Sequence, residues 1–181
     1  MATPVNSKII VSVNMKQKDT MKIGNIEVNT GLRFETNYRE KSPVIAKVEQ
    51  GNKYLKEGDI IVCHHNHYYP PSPYFLYDCY YSIPANHTIF GILSYYGELT
   101  PVYGNIFGER IDIESIMPLP SEQVKQYKDR VKITKSSNPN YKEDQVIFTR
   151  PSAPYDIVYN FGGIIKRVTK VWDQMVCGIL K

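Results

Sequence analysis

The feature that most constrains this chain is residues 42–63, SPVIAKVEQGNKYLKEGDIIVC, which reads strand, turn, Lys-x-Gly-Asp turn, strand. Pro43 biases Ser42 toward extended backbone, and Val44, Ala46 and Val48 then fall on one face of a strand. Gly51-Asn52 supplies the first turn. In the second, Gly58 tolerates a positive φ and Asp59 is placed to bond back onto the turn backbone. Ile60, Ile61 and Val62 are consecutive, as in a strand covered on both faces. Such a stretch builds a small β-unit and leaves no room for a catalytic group.

Period-2 alternation recurs upstream, where Ile9, Val11, Val13 and Met15 interleave with Ile10, Ser12 and Asn14. Residues 23–28 repeat it around a turn-capable Gly24-Asn25. Between 64 and 105 the character changes: prolines at 70, 71, 73, 84 and 101 punctuate a Tyr-rich stretch with one good strand candidate, 88–96. This reads as an excursion from the β-core, and Ile111 with Ile113 closes the first unit. After Pro118 and Pro120, Ser121 as cap with Val124, Tyr127 and Val131 at helical spacing predicts a short helix. Strand signals return at 131–133, 146–148 and 155–161. The positions Ile164, Val168, Val171, Trp172, Met175 and Ile179 fit a 3.6 period and predict a C-terminal helix, interrupted by Gly178. The expected organisation is a β-barrel-like domain over 1–118 with an insertion at 64–105, then a β-rich extension over 119–181 ending in that helix.

Composition narrows the function classes. A chain of 181 residues with 42% apolar and 22% charged side chains can bury a full core. The net charge of +4 is too small to mark a nucleic-acid binder, because such a footprint needs clustered Lys and Arg. The charge is uneven: residues 1–118 carry net −1 and residues 119–181 net +5. A positive segment of this kind meets an acidic partner or is simply solvated. Fifteen tyrosines against one tryptophan provide amphipathic rings suited to sheet surfaces and to protein interfaces. Cys63, Cys79 and Cys177 form no C-x-x-C, and their odd number argues against a disulfide framework, so a reducing compartment is expected. With no leader-like segment and no apolar run near about 18 residues, the expectation is a cytoplasmic protein without a membrane span.

Chemistry-bearing patterns are sparse. In an extended strand Cys63, His65 and His67 point to one side, with Cys79 or His87 as further zinc ligands, but the spacing lacks the tight pairs of structural zinc sites, and no metal is expected. No nucleophile elbow, H-E-x-x-H helix or phosphate-cradling glycine loop is present, so neither an enzyme nor a cofactor is expected. The residues best suited to contact a partner are the apolar Ile23, Ile26 and Val28 and the aromatic Tyr68, Tyr69, Tyr74, Phe75, Tyr77, Tyr80 and Tyr81. The competing reading of the tyrosines is that they pack the excursion onto its own core.

Taken in order, the strand signals at 9–15, 23–28 and 44–48, the Lys56-Glu57-Gly58-Asp59-Ile60-Ile61-Val62 run and residues 111–116 resemble the chaperonin-10, GroES-type co-chaperonin family. That resemblance implies a small β-barrel and, through the 16–31 loop, the capping of a chaperonin. The chain departs from the family at Ile26-Glu27-Val28, where a charge interrupts the apolar tripeptide, in its longer aromatic excursion, and in residues 119–181, which have no counterpart. A β-core, an aromatic excursion, no catalytic constellation and an added extension together resemble a bacteriophage virion component, such as a capsid auxiliary or connector subunit. This resemblance implies a non-catalytic subunit of a large symmetric assembly, a homo-oligomer contacting other virion proteins, assembled in the host cytoplasm.

Overall fold

Alternating apolar positions become strands wherever both a hydrogen-bonding neighbour and a buried face are available. In the computed structural model, which describes residues 7–13, 20–23, 26–29, 43–65, 68, 73–112, 126–161 and 164–180, nearly every such segment is a strand. In chain order they are β1 (Lys8–Ser12), β2 (Thr20–Ile23), β3 (Ile26–Asn29), β4 (Val44–Gln50), β5 (Ile60–Cys63), β6 (Phe75–Tyr77), β7 (Tyr80–Pro84), β8 (Ile89–Leu93), β9 (Leu99–Pro101), β10 (Asn105–Asp112), β11 (Gln126–Ser136), β12 (Val146–Thr149), β13 (Tyr155–Phe161), β14 (Ile164–Trp172) and β15 (Val176–Leu180). A single 3-10 turn, Asp173–Met175, lies between the last two.

The strands form two open antiparallel sheets and a separate hairpin. The first sheet runs β6-β7-β1-β4-β5-β8-β9, the second β13-β14-β10-β11-β12-β15, and β2 pairs with β3. Among the described residues the expected barrel does not close: β6 and β9 end the first sheet and do not pair with each other. The 64–105 stretch is no peripheral excursion, since it supplies four of the seven strands, with β7 bonded to β1 and β8 to β5. Residues 102–104 carry the chain from one sheet to the other, while residues 113–125, around the expected boundary at 118, lie outside the described residues.

Neither expected helix forms among the described residues. Residues 126–136 are β11, and the C-terminal segment is β14 and β15. The reason is visible in β14. Val168 packs into the seam between the sheets, whereas Val171 packs on the opposite face. A strand buried on both sides places apolar residues at both parities, and that spacing imitates a 3.6 period. The β-branched Ile164, Ile165, Val168 and Val171 then favour the extended state.

Three apolar clusters follow from this layering. One face of the first sheet gathers Ile9, Val11, Ala46, Val48, Ile61, Cys63, Ile83 and Ile89, closed over by Leu55 and Tyr68. Between the sheets lie Val62, Phe90, Leu93, Leu99, Phe107, Ile157 and Tyr159. The outer face of the second sheet holds Ile106, Val131, Ile133, Ile147 and Val171. Each fully buried Ile, Val or Phe contributes roughly 1.5–3 kcal/mol, so each layer is held mainly by its strand-borne side chains.

The 42–63 stretch folds as its residues dictate. β4 and β5 pair in register from Val44↔Cys63 to Lys47↔Ile60. Asn52 Oδ1 accepts from the backbone N–H of Tyr54 and Leu55, and Asp59 Oδ2 accepts from that of Lys56 at 2.7 Å. Gly58 sits at φ +90°, where a side chain would strain the backbone.

Candidate functional site

A sheet edge is a row of unpaired N–H and C=O groups, and folded proteins usually guard it with charge, proline or a covering element. The two edges of the first sheet differ in this respect. β9 ends in Pro101 and buries both Leu99 and Pro101. β6 reads Phe75-Leu76-Tyr77, with no charge and no proline, and all three residues are exposed, at 50, 39 and 52%. It is joined to β7 through a two-residue turn, Asp78–Cys79, in which Asp78 takes φ +49°. Ring contacts stiffen the hairpin: Phe75 meets Tyr81 edge-on at 5.5 Å and Tyr77 meets Tyr80 at 5.0 Å.

The aromatic residues singled out in the sequence divide here. Phe75 and Tyr77 are presented outward, Tyr80 and Tyr74 are half-buried, and Tyr81 and Tyr68 belong to the core. Tyr68 sits 4.9 Å from the Tyr81 ring and shares a 2.9 Å hydrogen bond with Cys63 Sγ. Burial, and then the neighbouring Cys63, holds the Tyr68 phenol well above its usual range. Burial, followed by nearby Cys79, raises that of Tyr81. Both rings therefore act as neutral core residues. Ile23 and Ile26 pair across the β2–β3 hairpin, in which Val28 faces Met21 in register. Tyr69 lies outside the described residues.

A second aromatic projection lies at the end of the Tyr-rich stretch, beyond the individual residues named above. Tyr95 and Tyr96, 89 and 83% exposed, stand at the tip between β8 and β9 and meet edge-on at 5.6 Å. The tip is anchored from below: Gly97 O accepts from Lys166 Nζ at 2.9 Å and from Tyr159 Oη at 3.2 Å. Reading 88–96 as one strand hid them, because β8 stops at Leu93 and the tyrosines belong to the turn. The signal that would have found them is the Tyr-Tyr-Gly run itself.

The Cys63-His64-His65 run does not assemble a metal centre. Cys63 faces the first core, and burial pushes its thiol up to about 12. His64 and His65 stack on each other at 4.3 Å, and His67 lies outside the described residues. Among the described residues no group of three or more His, Cys, Asp or Glu could hold a metal ion. No helix among them is long and apolar enough to cross a membrane.

Comparison of the chain with protein-family models, curated proteins and solved structures finds no match. The open sheets remove the structural basis for a GroES-type assignment, and no related sequence or structure supports a phage identity.

Proposed function

We propose that this protein is a non-catalytic subunit of a protein assembly, binding copies of itself and neighbouring proteins through its exposed aromatic surfaces. The observation that carries the reading is β6, which ends the first sheet among the described residues and whose three residues are all apolar or aromatic and all exposed. Main-chain pairing along such an edge supplies affinity, and Phe75 and Tyr77 supply rigid ring area at low entropic cost. Tyr95–Tyr96 stands near the opposite end of the same sheet's strand order, so one subunit offers two separate contacts. Two different patches at two ends suit a head-to-tail arrangement, which closes into a ring or extends.

The test is sedimentation velocity of the wild type beside a Phe75→Glu/Tyr77→Glu variant. Both side chains are exposed but each gives up one ring contact of about 0.5–1.5 kcal/mol, so the variant should stay folded with a Tm lower by only about a few degrees. We expect concentration-dependent association of the wild type and a monomeric variant. A wild type that stays monomeric throughout, or a variant that associates as well as the wild type, would refute this reading.

A further inference from the structure

At one end of the seam between the sheets, Lys170 of β14 places its ammonium over the ring of Phe90, with Nζ 5.1 Å from the centroid. Among the described residues this ammonium makes no side-chain hydrogen bond and no ion pair. Lys166, four residues earlier and on the same face of β14, does have an oxygen partner, Gly97 O at 2.9 Å. The surroundings of Lys170 are rings. Tyr155 is its cross-strand neighbour and lies 5.9 Å from Phe90. His64 meets Phe90 edge-on at 6.0 Å and Tyr155 at 6.1 Å. His87 stacks on Trp172 at 4.0 Å, with planes 15° apart. The first sheet and its loops thus contribute His64, His87 and Phe90, and the second contributes Tyr155, Lys170 and Trp172.

Two features make this more than core packing. A cation–π contact offsets only part of the cost of desolvating an ammonium, and a carboxylate would ordinarily complete the neutralisation. Among the described residues the other titratable neighbours are His64, His87 and Tyr155, imidazoles and a phenol that carry no negative charge near neutral pH. Burial draws the Lys170 amine down to about 8, and burial together with the Lys170 charge lowers His87. Both groups therefore gain from an incoming anion. The anion would also find ring surface, because Tyr155 and Trp172 are each only half-buried.

We propose that this end of the seam binds a small aromatic carboxylate, its anion set against Lys170 and His87 and its flat ring lying on Trp172 or Tyr155. The site is independent of the β6 edge and does not rest on the assembly reading.

The chain has one tryptophan, and it lies in the site, which makes the test direct. Wild-type protein is titrated with sodium benzoate while Trp172 emission is followed, beside acetate and inorganic phosphate at matched ionic strength and beside a Lys170→Met variant. We expect a saturable response to benzoate that Lys170→Met weakens by about tenfold or more, as loss of one charge-assisted contact should. Acetate and phosphate should bind more weakly. Lys170→Met should melt no lower than the wild type, so lost binding cannot be attributed to lost folding. A linear, unsaturable response to benzoate would overturn the proposal, as would equal affinity in the variant. Equal saturation by phosphate would overturn the aromatic part of it.

Discussion

Cys63 shows how one side chain changes meaning with its surroundings. In the sequence it heads a Cys-His-His-Asn-His run and invites a metal. In the fold its thiol is fully buried, 2.9 Å from Tyr68 Oη and 3.5 Å from Val44 O. The sequence shows that Cys63 ends a strand but not which face of β5 turns inward, because Ile61, Val62 and Cys63 are all apolar and all buried. The chemistry follows from burial. With the thiol raised from 9.0 to about 12, the thiolate needed for attack is scarce at pH 8. Native protein treated with a thiol reagent at that pH should label at exposed Cys177, with Cys63 labelled only after denaturation, as peptide mass spectrometry would show. The pH dependence has a definite sign. Below about pH 9 the native and unfolded chains both keep the proton, so the stabilisation is fully present. Between about 9 and 12 only the unfolded chain loses the proton, and stability falls by up to about 1.4 kcal/mol per pH unit. Urea denaturation from pH 8 to 11 should show a steeper loss for the wild type than for Cys63→Ala. Equal slopes would mean that the thiol is not held protonated.

At the scale of elements, most strands were legible and their partners were not. β1, β4, β5, β12 and β13 follow from alternation or short apolar runs, and the two turns of residues 49–59 follow from Gly58, Asp59 and Asn52. The helix expected over 164–179 failed because β14 is buried on both faces, so its apolar residues lose the simple period of two. The closed barrel failed for a different reason. β10 was expected to complete the first unit, yet its neighbours are β11 and β14. Partner choice of this kind depends on long-range fit, and Gly108 is part of that fit. A Cβ at this position would lie 2.2 Å from Lys132 O and 2.5 Å from a Val131 methyl carbon, so β11 approaches closely only because the side chain is missing. Gly108→Ala should therefore force β10 and β11 apart at the centre of the second sheet, costing about 1–3 kcal/mol in urea denaturation. Gly178, with open space around its Cβ position, should accept alanine within about 0.5 kcal/mol. Equal effects at the two positions would show that the close approach is not real. The interaction surface was legible to the same partial degree. Tyr-rich sequence identified the β6–β7 hairpin, but inward- and outward-facing tyrosines look alike until the strand register is known.

For the whole molecule, the question is what makes two open sheets behave as one body. The seam between them is apolar, and apolar contact alone tolerates sliding; Asn105 supplies direction. Fully buried at the start of β10, its Nδ2 donates to the carbonyls of Ile89 and Val102, both at 2.8 Å, with His87 and Phe90 at 3.2 and 3.4 Å. Its own main-chain carbonyl accepts from Ser137 N–H at 3.1 Å and from Ser137 Oγ at 3.0 Å. One residue thus ties β8 of the first sheet to β10 and the end of β11 in the second. Removing the amide takes a buried donor from Ile89 O, which costs about 1–3 kcal/mol where water cannot reach, and empties the space the side chain filled, while Val102 O keeps the main-chain N–H of Asn105 at 3.0 Å. Asn105→Ala should accordingly lose about 2–4 kcal/mol, and its unfolding should broaden if the sheets begin to separate independently. Asn105→Asp separates this role from simple volume. At pH 7 a carboxylate facing carbonyl oxygens is both desolvated and repelled, so the variant should be less stable than Asn105→Ala. Its native-state pKa must then lie above the unfolded value near 3.9, because the protonated acid alone can donate a hydrogen bond there. Stability is consequently recovered as pH falls toward the unfolded pKa, by up to about 1.4 kcal/mol per unit, and is lost again as pH rises. Urea denaturation of the two variants between pH 7 and pH 4.5 would therefore show Asn105→Asp gaining on Asn105→Ala. Curves that stay parallel over that range would mean that the buried amide is not the tie between the sheets.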